Sequence, residues 1–107
     1  MALGNYSNFV IIQNGSPSPF GHGNGFVCEF TFPVTATQVL VPVGNLSSND
    51  SVEVRPVQAV ANSTDFCYDR AGSTFSNAGQ GIASIETLTG TYSAGAQTLQ
   101  LRVFRTT

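Results

Sequence analysis

Phe26, Cys28, Phe30 and Phe32 fall on one parity of the chain, with Glu29 and Thr31 between them. A strand turns successive side chains to opposite faces, so this spacing predicts a strand with one apolar face and one wet face. Leu99, Leu101 and Val103, interleaved with Gln100 and Arg102, predict a second. Short apolar or alternating runs, separated by Gly, Asn, Ser and Pro, place further strands near 8–13, 38–43, 51–59, 64–69 and 82–91, beside those at 26–32 and 97–105. No stretch carries the period of an amphipathic helix. The expected fold is all-β: a single antiparallel β-sandwich or jelly roll over 1–107, built from about seven or eight short strands.

Two runs break the alternation. Phe9-Val10-Ile11-Ile12 and Val39-Leu40-Val41 are apolar at every position. A sandwich strand normally keeps one face in water, so these runs call for a second cover, either a long loop of the same chain or a neighbouring subunit. Three prolines also lie in strand contexts, at Pro33, Pro42 and Pro56. Each lacks the ladder donor and marks a strand end, an edge or a bulge. At Pro56 the apolar parity moves from Val52 and Val54 to Val57 and Ala59, which suits a bulge.

Charge changes the picture. Of the 107 residues only 9% are charged, with four Arg, no Lys and a net of −2. Ordinary soluble domains carry about 25%. A surface built from Ser, Thr, Asn, Gln and Gly repels its copies weakly, which turns the choice of cover toward a neighbouring subunit. No basic stripe exists to follow a phosphate backbone, so nucleic acid is not an expected partner. No apolar run approaches the roughly 20 residues of a membrane-spanning helix, and the first residues lack the pattern of a secretory leader.

Candidate chemistry is sparse. The stretch "GSPSPFGHGNGF", residues 15–26, holds the single histidine, His22. His-Gly-x-Gly is also the pattern of a lipase oxyanion loop, but that chemistry needs a serine on a G-x-S-x-G elbow, and Gly90 to Gly95 misses the spacing around Ser93 by one residue. Gly21, Gly23 and Gly25 likewise miss the dinucleotide spacing. The stretch reads instead as a long contact loop. Pro19, Phe20 and His22 therefore join Phe9, Val10, Ile11 and Ile12 as candidate partner contacts. One His and two Cys do not make a zinc site. Cys28 shares the phenylalanine face while Cys67 shares parity with Asp65 and Asp69, so two free thiols are expected, with a Cys28–Cys67 disulfide as the alternative.

Asp65 and Asp69 on one strand would stand about 13 Å apart. That is too far for a glycosidase pair, which needs about 5 Å or about 6.5–9.5 Å. Cross-strand pairs involving Glu29, Glu53 or Glu86 stay open. Asn49, Asp50 and Asp65 offer oxygens to calcium, or simply build turns. Asn5, Asn14, Asn45, Asn49 and Asn62 match the N-x-[ST] pattern by coincidence in a chain rich in Ser and Thr. No catalytic residue, metal or cofactor is assigned.

The segment "TLTGTYSAGAQTLQLRVFRTT", residues 87–107, resembles the terminal hairpin of small jelly rolls such as C1q/TNF-like modules and those on phage particles. Ala94-Gly95 would be its turn. More broadly the chain resembles small phage capsid decoration, or cement, proteins: β-rich, charge-poor and trimeric. That resemblance implies a structural virion protein on the capsid surface. It would be a homo-oligomer, a trimer by that likeness, made in the host cytoplasm without a signal peptide and clamping major capsid subunits together. The rival expectation is a carbohydrate-binding module or tail-fibre adhesin, with Tyr6, Tyr68 or Tyr92 as a stacking platform. Against it, the chain has no Trp, and its eight Phe suit a core.

Overall fold

The computed structural model describes residues 3–14, 25–33, 36–57, 66–87 and 97–104. Within them run β1 (Leu3–Gly4), β2 (Ser7–Asn14), β3 (Gly25–Phe32), β4 (Gln38–Leu46), β5 (Ser51–Pro56), β6 (Phe66–Thr74), β7 (Ser76–Thr87) and β8 (Gln97–Phe104). They form two four-stranded sheets, ordered β1-β4-β7-β6 and β2-β3-β8-β5. Together these make the expected β-sandwich. All neighbours are antiparallel except β1 and β4, which pair in parallel through Leu3–Gln38 and Gly4–Val39.

The core lies between the sheets and follows the parity of the sequence. Phe26, Cys28, Phe30 and Phe32 of β3 and Leu99, Leu101 and Val103 of β8 are buried from one sheet. Val39, Val41, Val43, Ala83 and Ile85 answer from the other. Phe9, Val52, Val54, Phe66 and Tyr68 close its sides. Phe32 and Phe66 meet edge to face across the gap, their centroids 5.0 Å apart.

Several expectations are corrected. β7 and β8, which flank residues 88–96, are not paired as a hairpin. β7 pairs with β4 and β6, whereas β8 pairs with β3 and β5, so the chain crosses between sheets there. Each strand's apolar face is satisfied by a different sheet, and adjacency in sequence does not decide the partner. Only β2–β3 and β6–β7 are consecutive neighbours within a sheet.

The β6–β7 hairpin reaches into "RAGSTFSNAGQG", which carries turn residues rather than strand formers. Its ladder is sparse there, with a register shift between Asp69 and Thr74 and the Thr74–Ile82 pair beyond it. At Pro56 no bulge forms. β5 stays in register with β8 through Pro56–Leu99, and the strand ends there. Pro33 follows the last residue of β3. Pro42 sits within β4 beyond the reach of β1, which pairs only as far as Val39, and the β4–β7 register shifts between Pro42 and Gly44, the irregularity a strand proline is expected to mark.

Candidate interaction surface

Edge position makes β2 the most unusual strand. It pairs with β3 alone, so its outer row of backbone groups has no strand partner among the described residues. Opposite β3, Val10 aligns with Glu29 and Ile11 with Cys28. Register shifts on either side of that pair mark bulges. One coincides with Asn8, held at φ 55°, a left-handed conformation that Asn tolerates. Its side chain donates from Nδ2 to Thr31 Oγ1 at 3.2 Å and anchors the strand to its neighbour.

The four apolar residues of this strand part company. Phe9 packs against the core. Val10, Ile11 and Ile12 stay 47%, 48% and 53% exposed, so no described segment of the chain covers them. Val39 and Val41, by contrast, are buried, and Leu40 is half-buried opposite Ser84. Pro19, Phe20 and His22 lie outside the described residues.

Leu3 of β1 and Tyr6, just before β2, are exposed as well. Tyr6 stacks edge to face on Phe9 with centroids 6.0 Å apart. The signal that finds them is charge: the first Asp, Glu, Lys or Arg in the chain is Glu29. β1 and β2 thus carry no Asp, Glu, Lys or Arg of their own, and Glu29 of β3 stands in register with Val10. The opposite side, where β5 and β6 come together, carries Glu53, Arg55, Asp69 and Arg70.

The outward faces of the sheets differ. On the β2-β3-β8-β5 sheet, Gln100 Nε2 donates to Glu29 Oε2 at 3.5 Å and Arg102 Nε to Gln100 Oε1 at 3.2 Å. Glu53 stands 4.0 Å from Arg102, an exposed pair that contributes little to stability. Phe104 projects beside this network, 45% exposed, between Gly25 and Ser51 in register.

On the other sheet, Cys67 lies opposite Glu86, and Asp69 opposite Ser84. A hydrogen bond with Asp69 raises the Glu86 pKa above the usual value, with smaller contributions from burial and the Asp69 charge. This cross-strand pair, left open by the sequence, sits on neighbouring rungs of the β6–β7 ladder, Glu86 opposite Cys67 and Asp69 opposite Ser84. Ser84 beside them is fully buried, accepting from Gln38 Nε2 at 2.7 Å, while its amide donates to Ser73 Oγ.

The two thiols are free and face different environments, Cys28 inside the sandwich and Cys67 on the outer face of the second sheet. Burial, and secondarily Glu29, pushes the Cys28 thiol up to about 12. Burial, then Glu86 and Asp69, also raises Cys67.

Asp50 serves its turn: Oδ2 accepts from the Ser47 amide and its own amide donates to Ser47 O, both at 3.0 Å. Among the described residues no three His, Cys, Asp or Glu side chains stand together to hold a metal ion. Asp65 and Tyr92 lie outside those residues, and Tyr68 packs against the core. No family model matches this chain, no curated protein matches its sequence, and no solved structure matches its fold.

Proposed function

We propose that this chain is a structural subunit of a virion, a capsid decoration protein that braces neighbouring major capsid subunits by burying the side formed by β1 and β2. The observation that carries this reading is the exposure of Val10, Ile11 and Ile12 on an unpartnered edge strand. Three adjacent β-branched residues half in water are an aggregation hazard on a free monomer and an asset on a subunit. A charge content of 9% agrees, because a surface that meets protein rather than water needs few charges. The test is immunogold labelling of particles purified from cells that make the chain. Label on the capsid surface is expected. Label confined to soluble material overturns the reading.

A second reading, a glycan-binding module, draws on one observation. Phe104 offers an exposed ring flanked by small residues and bordered by the Arg102–Gln100–Glu29 network, which is the kind of polar and aromatic pairing a sugar face uses. Binding on a glycan array, lost in Phe104→Ala, would favour it over the first.

A further inference from the structure

We propose that Ser84 and Gln38 form an intramolecular ester: the Ser84 hydroxyl displaces ammonia from the Gln38 carboxamide and ties β7 covalently to β4. Neither the capsid nor the glycan reading is needed for it.

Four side chains meet on the outer face of the β1-β4-β7-β6 sheet. The core residues Val39, Ala83 and Ile85 alternate with Gln38, Ser84 and Glu86, which therefore point outward, as does Asp69 opposite Ser84. They occupy two neighbouring rungs. Gln38, Glu86 and Cys67 share one, and Leu40, Ser84 and Asp69 the next. Gln38 reaches diagonally to Ser84, Nε2 donating to Oγ at 2.7 Å between residues 46 apart in sequence.

Ser84 is the unusual member. A serine on an outward face is normally wet, yet this one has no exposure at all. The irregularity after Asp69 brings Gly72 close to it. A Cβ on Gly72 would stand 3.2 Å from Ser84 Oγ and 2.5 Å from Asp69 Oδ2, so hydroxyl and carboxylate border one small space. Ser73 completes the cover, its hydroxyl accepting from Ser84 N at 3.0 Å and donating to Asp69 O at 2.7 Å. Water, which would hydrolyse an ester, is thereby kept from the nucleophile.

The reaction needs no other reagent. Rotation of the terminal amide, a soft torsion, presents Gln38 Cδ to Ser84 Oγ. Asp69 takes the hydroxyl proton as Oγ adds to Cδ. It returns that proton to Nε2, beside Oγ, as the C–N bond breaks and ammonia leaves. Glu86 holds its own proton to higher pH than an ordinary carboxyl, chiefly through its hydrogen bond with Asp69, and so orients Asp69 without competing as a second base. The ester closes a long loop of the chain and restricts the unfolded state as a disulfide would.

Mass spectrometry of the intact, denatured chain tests this. The mass should fall below that of the sequence by one ammonia, and digestion should yield a linked pair of peptides holding Gln38 and Ser84. A succinimide at Asn14-Gly15 or Asn24-Gly25 would lose the same ammonia, so variants identify the source. Ser84→Ala and Gln38→Glu should both keep their full sequence mass, and Asp69→Asn should form the ester about a hundredfold more slowly. Circular dichroism checks that each variant is folded. A parent chain of full sequence mass overturns the ester, and that result requires no variant to fold. An ammonia loss that persists in Ser84→Ala overturns it as well, because the loss then belongs to an Asn-Gly site.

Discussion

The edge-to-face pair of Phe32 and Phe66 joins the two sheets, so it offers a direct test of how they face each other. Phe32 is completely buried on β3 and Phe66 half-buried on β6, with centroids 5.0 Å apart and planes 64° apart. Replacing Phe32 with Leu removes ring carbons from a filled core and leaves a small cavity. At about 0.8 kcal/mol per buried methylene equivalent plus the cavity term, the cost is about 2 kcal/mol. Phe66→Leu, starting half in water, costs about 1 kcal/mol on the same reasoning.

Aromatic geometry adds about 0.5–1.5 kcal/mol that exists only when both rings are present. The double variant should therefore be less destabilised than the sum of the singles by that amount. Urea denaturation followed by tyrosine fluorescence reads all four proteins, and Phe32→Leu alone should lower the midpoint by about 1 M. A coupling below about 0.3 kcal/mol, the scatter of non-contacting sites, would show that the rings do not meet and that the sheets are packed differently.

Thiol chemistry should separate the cysteines. A disulfide reagent should modify Cys67 in the native protein and Cys28 only on unfolding, and two equally fast thiols would contradict the burial of Cys28. Glu86 should impose a pH dependence of its own. Its folded pKa is raised above 4.5, so its stabilising contribution is complete below the unfolded value and is lost as pH rises through the folded one. Glu86→Gln keeps a donor for Asp69 without titrating, so the variant should gain stability over the parent at neutral pH and lose that advantage near pH 4. Parallel stability curves would refute the shared hydrogen bond. Gly81→Ala should cost about 1–3 kcal/mol, measured by denaturation, because its Cβ would stand 2.6 Å from Gly44 O and 2.7 Å from Leu46 Cβ. A neutral effect would mean that β4 and β7 can separate there.

The sequence by itself determined which faces are apolar. Period-two spacing in 26–32 and 97–103 needs no partner to be read, because side-chain alternation is a property of a single strand, and every residue it assigned to the interior is buried. It also marked Phe9 to Ile12 as lacking a wet face, and the poverty of charge that makes an uncovered edge plausible is a matter of counting.

Pairing was beyond its reach. The strands at 82–91 and 97–105 are adjacent in sequence and equally apolar, yet they belong to opposite sheets, since an apolar face is satisfied by any strand that completes the core. The same holds for the Gly- and Ser-rich 70–81, whose local preferences favour turns and which meets its neighbours in register only at Thr74–Ile82, Ser76–Leu46 and Gly81–Gly44. Only the tertiary structure decided that Phe9 turns inward while Val10, Ile11 and Ile12 remain outside. It did so by placing β2 at an edge, where among the described residues a strand has a neighbour on one side alone. It decided too that Asp69 and Glu86, seventeen residues apart in sequence, share one hydrogen bond, because register rather than spacing brings side chains of different strands together.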